Sequence, residues 1–425
     1  MTAPDLTGGP AAAGSHSHVH TRPASGFNPA RRLAGIGVSE ILAIGARAAA
    51  MGGDVIILAA GEPDLPTPAH IRQAAAEAVE AGATRYAPLT GTPALKAAIR
   101  DKHRRDNGLD YAADEIIVGA GAKQVIHNAF MASLDPGREV IIPAPFWTSY
   151  LDQVTLAGGH AVTPATTAGN GWKLTPDTLA AAITPRTRWL VLNAPSNPSG
   201  AIYSDSELKS LARVLHLHPH VWVLSDDIYE HILYDGRRFA TMAAADPVLA
   251  GRTLTVNGVS KAYAMTGWRI GWGAGPRALI AAMAAIQSQS TSGAATPSQA
   301  AATAALNGPQ TVLADHLAVF ARRRDLVMTG LNAIPGITCP PPEGAFYAFA
   351  DISGLIGRTT RDGTVLATDA DVARWLLDGA RVALVPGSAF GLPGHLRLSF
   401  AAADDVLADA LGRIGRLIGE NLVSV

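Results

Sequence analysis

Apolar and polar positions alternate along this chain with two different periods. Residues 39–50 repeat at helical spacing, as do Pro68–Ala81 and 93–107, the last with Pro93 in a first-turn position. Short apolar runs stand at Val55–Leu58, Glu115–Val118, Glu139–Ile142, Trp189–Leu192, Val221–Leu224 and Thr253–Val256. Helical stretches or long connections separate most of these runs. That alternation predicts an α/β fold, with a mostly parallel sheet covered by helices on both faces. After residue 315 the pattern changes to a long polar helix through Arg322, Arg323 and Arg324, followed by shorter strands and helices. The change predicts a second, smaller α/β domain. No internal repeat is visible.

Composition narrows the function classes. The 425 residues suffice for one large and one smaller domain, and 48% hydrophobic content supplies a substantial core. Only 16% of residues are charged and the net charge is −1, so neither nucleic acid nor a membrane surface is expected as a partner. The single cysteine, Cys339, excludes a disulfide framework and a cysteine zinc site, and reads as a small buried residue. Between Ala278 and Ala314 no residue is charged, yet the polar run Gln287 to Ser292 and then Pro297 argue for helix packed in a globular interface rather than a membrane span. Residues 1–26 lack the apolar stretch of a secretory signal and read as a disordered tail, in which His16, His18 and His20 are solvated. A cytoplasmic protein is expected.

Candidate chemistry collects after the predicted strands. In parallel α/β sheets the ligand sits at the loops leaving the C-terminal strand ends. Gly121-Ala122-Lys123 follows Glu115–Val118, Asn197 follows Trp189–Leu192, Asp226 follows Val221–Leu224, and Lys261 follows Thr253–Val256. Four loops meeting at one edge would form a site. Lys261 lies in a segment without other charge until Arg269; if buried, its amine loses its proton below the usual range and becomes a nucleophile. Each piece is weak alone. Lys261 taken singly reads as a surface lysine, Asp226-Asp227-Ile228-Tyr229 as a turn or weak metal site, and Pro195–Gly200 as a turn.

Together the pieces resemble the class I aminotransferases, enzymes of fold type I that use pyridoxal 5′-phosphate (PLP). The stretch Gly258-Val259-Ser260-Lys261-Ala262-Tyr263-Ala264-Met265-Thr266-Gly267-Trp268-Arg269-Ile270-Gly271 matches the family's lysine signature. The likeness runs from about residue 28 to the C-terminus. It includes Gly61-Glu62-Pro63-Asp64, Tyr86-Ala87-Pro88, Gly121-Ala122-Lys123-Gln124, Pro145-Phe146-Trp147, Ser196-Asn197-Pro198, Asp226-Asp227-Ile228-Tyr229 and Arg397-Leu398-Ser399, in the family's order. The resemblance implies a large domain around a mostly parallel seven-stranded sheet, plus a smaller α/β domain. The expected division is a tail at 1–26, an N-terminal segment at 27–66 packing with the small domain, a PLP-binding domain at 67–314 and a small domain at 315–425.

The resemblance also implies roles. Lys261 holds PLP as a Schiff base and then serves as the base that moves the substrate proton; with Asp226 and Tyr229 it makes up the catalytic set. Asp226 keeps the pyridine nitrogen protonated, Tyr229 and Asn197 hold the ring oxygen, and Trp147 stacks on the ring. The phosphate rests on the amides of Ala122 and Lys123 at a helix start, with Arg269, Ser260 and a Tyr86 reaching across from the other subunit of a homodimer. Arg397 forks the substrate α-carboxylate, helped by Asn197, Gly61 and Trp147. No metal is needed. The cycle is ping-pong, between an amino acid and a 2-oxo acid.

Within that family the chain looks most like bacterial aspartate aminotransferases of the branch that includes enzymes acting on prephenate. In that branch a lysine, here Lys123, reads the distal carboxylate, and a small hydroxyl residue, placed at Ser39, assists. Aspartate or glutamate is the expected amino donor, with prephenate as a further acceptor. Glu40 beside Ser39, and His127 and Phe146 in place of the usual aromatic residues, depart from the branch and bear on substrate preference. The same scaffold also hosts lyases, synthases and amino-acid oxidases, enzymes for aromatic or other non-acidic amino acids, and PLP-sensing regulators that carry a DNA-binding module, which residues 1–26 are too short to supply.

Overall fold

The computed structural model describes residues 28–421. The described residues from Gly37 onward form one compact unit; in the unit that ends at Ile36, the described part holds one 3₁₀ turn, Arg31–Leu33. The tail at 1–26, with its three histidines, lies outside the described residues.

The strands in chain order are β1 Ile56–Ile57, β2 Ile116–Gly119, β3 Glu139–Ile141, β4 His160–Val162, β5 Thr187–Asn193, β6 Trp222–Asp226, β7 Thr253–Gly258, β8 Gly271–Ala274, β9 Tyr347–Asp351, β10 Val382–Ala383, β11 Val385–Pro386 and β12 His395–Ser399. Seven of them form one sheet in the order β2-β8-β7-β6-β5-β3-β4. Every pairing from β7 to β4 is parallel, and β8 alone runs against the rest. The side chains of β2 show why both faces need cover. Ile116 and Val118 pack with Leu95, Ile99 and Trp272 on one side, while Ile117 joins Val125, Phe130 and Val256 on the other. A period-two run buried on both faces reads as continuously apolar, which is how these strands appear in the sequence.

Five helices bear on the site: α1 Glu40–Ala50, α2 Pro93–Lys102, α3 Ala122–Ser133, α4 Thr311–Asn332 and α5 Asp404–Asn421. The helix predicted over 93–107 is α-helical to Lys102 and closes in a π-helical turn, His103–Asn107. The uncharged stretch after Ala278 forms the helices Arg277–Ser288 and Thr296–Asn307, and no described helix is long and apolar enough to cross a membrane. β9, β12 and β11 form a separate antiparallel sheet packed on α4 and α5, and β1 pairs with β10 in parallel.

Two strands escape the apolar pattern. β4 is short and partly exposed, so it carries little signal. β8 reads Gly-Trp-Gly-Ala, poor strand material by propensity. Packing explains its glycines: a Cβ on Gly271 would overlap the Ala122 amide, and one on Gly273 would lie 2.8 Å from a Val125 methyl. Close approach of α3 to β8 therefore outweighs strand propensity.

Candidate active site

β5 and β6 end level with one another, with Asn193 opposite Asp226, and β7 passes Val256 opposite Asp226 and ends two residues further on at Gly258. Their loops open into a cleft of about 540 Å³. Lys261, Asp226, Tyr229, Asn197, Ser260, Arg269, Ala122, Lys123, Trp147, Gly61 and Arg397 all line it.

Asp226 is the last residue of β6 and is buried. Burial raises its carboxyl from 3.8 to about 6, against the lowering influence of the Tyr150 hydroxyl, the Ile228 amide and the Lys261 charge. Tyr150 donates to Asp226 Oδ2 at 2.5 Å, and the Ile228 amide reaches Oδ1 at 3.4 Å. Lys261 is half-buried and donates through Nζ to the carbonyl of Gly61 at 2.6 Å. Burial, then the nearby Arg397 charge, lowers its amine from 10.5 to about 8. Tyr229 is buried, and burial pushes its phenol well above the usual value; its hydroxyl lies 2.7 Å from that of Tyr347.

Arg397, on β12, is fully buried. Nη1 donates to Asn197 Oδ1 at 2.8 Å, Nη2 donates to the Ala59 carbonyl, and Nε has no partner among the described residues. Its guanidinium carbon lies 4.6 Å from the Tyr347 ring centre and 4.9 Å from that of Phe390. No described carboxylate pairs with it.

At the other end of the cleft, Gly121 adopts φ +89° and starts α3 at Ala122. A Cβ there would sit 2.5 Å from Arg269 Nη2, so glycine is required for the arginine to lie against the turn. No described backbone carbonyl accepts from the amides of Ala122 or Lys123. Among the described residues Arg269 donates only to the carbonyls of Thr266 (2.9 Å) and Ala120 (3.3 Å). Free amides at a helix start beside an arginine without a carboxylate make an anion cradle. Lys123 Nζ lies 4.9 Å over the half-buried Trp147 ring; burial and then Arg269 lower its amine, opposed by Asp152.

The cleft thus joins a helix start with free amides beside Arg269, an amine of lowered basicity, a carboxylate and a second guanidinium that no described carboxylate pairs with. Against it stand the comparisons with known proteins. The family model for aminotransferase class I and II matches residues 53–414. The chain belongs to the class I and II aminotransferases. It is an aminotransferase, of a family that depends on PLP. An aspartate aminotransferase of Rhizobium meliloti (strain 1021) is 58% identical over 393 residues, covering 92% of this chain and 96% of that protein. An aspartate/prephenate aminotransferase of Cereibacter sphaeroides is 52% identical over 385 residues, covering 90% and 96%. The crystal structure of the aspartate aminotransferase from Rhizobium meliloti superposes with a TM-score of 0.91 at 57% identity, over 94% of this chain and all of that one.

Two of the expected site residues of this aminotransferase lie away from the cleft. Ser39 stands ahead of α1 as its N-cap, and the helix instead turns Ile41, Leu42, Gly45 and Ala46 toward the cleft. Glu40 beside it is exposed and does not line the cleft. Tyr86 is 96% exposed, and no described residue covers it. His127 is half-buried on α3 and Phe146 is buried against Gly391; neither lines the cleft.

Besides the apolar residues of α1, the lining residues that escaped sequence reasoning include Tyr150, Asn193 and Tyr347. Tyr150 stands three positions after Trp147, a spacing that sets residues on one helical face and could have marked it. Asn193 ties two loops together, donating to the Asp226 carbonyl at 3.0 Å and accepting from the Asn197 amide at 2.9 Å. Tyr347 gives no local signal. Only the register reveals it, since Tyr347 pairs with Ser399 and so lies diagonal to Arg397 on one face.

Proposed function

We propose that this aminotransferase binds PLP through Lys261 and exchanges amino groups between aspartate or glutamate and their 2-oxo acids in a ping-pong cycle. The observation that carries the reading is Arg397: a fully buried guanidinium, bonded among the described residues only to an amide and a carbonyl, in the same cleft as the Lys261 amine. Burying such a charge is costly unless an anion completes it, and a substrate α-carboxylate fits the fork.

The residues present suit the cofactor. The Ala122 and Lys123 amides, Arg269 and Ser260 would hold its phosphate, Trp147 its ring face, Asp226 its pyridine nitrogen, and Asn197 with Tyr229 its ring oxygen. When bound, PLP supplies an electron sink for the bond broken at the substrate α-carbon. Asp226 holds a proton at the ring nitrogen by its negative charge. Arg397, with Asn197 and Gly61, fixes the α-carboxylate and so the orientation of the carbon. Lys261, its basicity lowered to about 8, would take the proton from that carbon and pass it to the cofactor's aldehyde carbon, which keeps the amino group. Lys123 takes the distal carboxylate. We keep Ser39 as its assistant only through a movement of α1 toward the cleft, and Tyr86 as a contribution of a second copy in a homodimer. The division at 66/67 and 314/315 is likewise proposed; pairing of β1 with β10 supports the first boundary. A cytoplasmic location is in keeping with a single buried, unbridged cysteine.

One observation favours a wider acceptor range. Ile41, Leu42, Ala46 and Ile57 form an apolar wall of the cleft, which suits a bulkier partner such as prephenate. The names of the relatives support both readings. The deciding experiment mixes purified holoprotein with single amino acids and follows the absorbance of the bound cofactor. Aspartate and glutamate should convert it to the pyridoxamine form, and 2-oxoglutarate should reverse the change. A spectrum left unchanged by both, but bleached by another amino acid, would overturn the substrate assignment.

A further inference from the structure

Tyr347 touches three working parts of the cleft at once. Its hydroxyl lies 2.7 Å from that of Tyr229. Its ring carries the Arg397 guanidinium, 4.6 Å from the ring centre. Gly61, whose carbonyl holds Lys261, faces the same hydroxyl so closely that a Cβ at position 61 would lie 2.5 Å from it. Tyr347 is 1% exposed, and Tyr229 is the one described side chain that bonds its hydroxyl.

We propose that Tyr347 is a positioning residue: it donates to the Tyr229 oxygen so that Tyr229 can donate onward into the cleft, while its ring fixes the plane of Arg397. This rests on the proposed roles of Tyr229 at the cofactor's ring oxygen and Arg397 at the substrate carboxylate. The argument is one of hydrogens. Only one hydrogen lies between two phenols. If Tyr229 supplies it, Tyr229 has none for the cleft and the Tyr347 hydrogen has no acceptor. If Tyr347 supplies it, both hydroxyls are used. A bond received at the Tyr229 oxygen also polarises its O–H and strengthens the bond that Tyr229 gives. Burial keeps both phenols protonated through the neutral range, so the chain persists there. The ring does separate work. A guanidinium over an aromatic face is held in orientation without a counter-charge, which leaves its fork free for a ligand.

The two parts predict different losses. A strong donor at the cofactor's ring oxygen competes for the proton that this oxygen shares with the lysine-bound nitrogen. Removing the Tyr347 hydroxyl should therefore raise the pH at which the bound chromophore loses its proton. The experiment titrates the absorbance of holoprotein for wild type, Tyr347→Phe, Tyr229→Phe and the double variant. It then measures succinate, a dicarboxylate without an amino group, by its perturbation of the same band. Tyr347→Phe should move the midpoint up by about half to one pH unit, a three- to tenfold change in proton affinity. In the Tyr229→Phe background the same substitution should move it by less than about 0.2 unit. Because phenylalanine keeps the ring, Tyr347→Phe should hold succinate affinity within about twofold, whereas Tyr347→Leu should weaken it about tenfold. An unmoved midpoint in Tyr347→Phe, or an equal shift without Tyr229, would overturn the relay. A wild-type protein with no titrating band, or a band that survives Lys261→Ala, would remove the reading of Lys261 itself, and this proposal with it.

Discussion

Cations in the cleft and cations elsewhere in the interior are treated in opposite ways. Behind the β6 loop, Lys102 pairs with Glu230 and donates to Asn107 Oδ1 at 2.8 Å, while Asn107 donates to Glu230 Oε2 at 2.9 Å. Arg323 forks Asp64 at 2.7 and 2.9 Å and reaches Asp404 at 3.0 Å. Arg324 forks Asp235 and also meets Asp325. Each carries its own counter-charge. Arg397, Lys261 and Arg269 do not: their described hydrogen-bond partners are carbonyl oxygens. Burial penalises the charges of Arg397 and Lys261 as it does those of the first set, but among the described residues only the first set is paired with carboxylates. On the proposed function, the second set is compensated by what enters the cleft. The difference separates charges that build the fold from charges that receive anions, and both can be tested.

The largest effect should fall on the cleft's acid. Asp226→Ala removes the negative charge that faces the proposed ring nitrogen, and kcat/KM for amino transfer should fall about 10³- to 10⁴-fold while the fold persists. Retention of more than about a tenth of the activity would contradict the role. Next comes a structural cation. Lys102→Met takes its fixed cation from buried Glu230, leaving Asn107 at 2.9 Å and His231 at 3.2 Å beside it, and should cost up to about 3–5 kcal/mol, read as a lower urea midpoint of the apoprotein. Adding Glu230→Leu should recover most of that loss, since a matched apolar pair carries no stranded charge. A single variant as stable as wild type would erase the distinction drawn above.

How far the sequence reaches follows the same division. The strands of the main sheet were readable because burial on both faces makes them apolar runs, and the loops that follow named Lys261, Asp226 and Asn197. β8 was not readable, because close packing on α3 imposes glycines where propensity expects branched residues. Arg397 was found only by its motif. Its isolation from any carboxylate is a property of four distant segments: Ala59, Asn197, Tyr347 and Phe390. Tyr150 and Tyr347 act through hydrogen bonds spanning 76 and 118 positions, which no local pattern encodes. The structural pairs were equally hidden, since nothing near Lys102 announces Glu230.

A smaller effect concerns pH. The Lys261 amine must be unprotonated to attack an aldehyde. With its value lowered to about 8, about a tenth of it is free at pH 7, against about one part in three thousand for a lysine at 10.5. The folded pKa is depressed, so reactivity is gained as pH rises toward 8 and is flat above it. Recombination of apoprotein with PLP should climb about tenfold from pH 6 to pH 7 and level near pH 8. A rate still climbing in proportion at pH 10 would place the amine in solvent-like surroundings and return Lys261 to the class of ordinary cations.

The smallest effect is the sharpest test of the comparison, because it predicts a gain. Arg397→Met abolishes the carboxylate fork, so activity says little beyond that loss. Stability of the apoprotein says more. In wild type the guanidinium is buried, its Nε lacks a partner among the described residues, and burial lowers its affinity for a proton, the sign of a charge held at a cost. Methionine keeps an unbranched chain of comparable reach, removes the charge, and packs against Tyr347 and Phe390, whose rings already line the site. The variant apoprotein should therefore gain about 1 kcal/mol, the exchange of stability for function found where a site holds strained or uncompensated groups. Differential scanning calorimetry of both apoproteins in one buffer reads the change as a rise in Tm of a degree or more. Succinate should reverse the order by stabilising wild type alone, since only wild type can offer it the fork. A fall of several degrees in the variant without ligand would mean that the carbonyls of Ala59 and Asn197 already satisfy Arg397. It would then belong with Lys102 and Arg323, among the charges that hold the chain together.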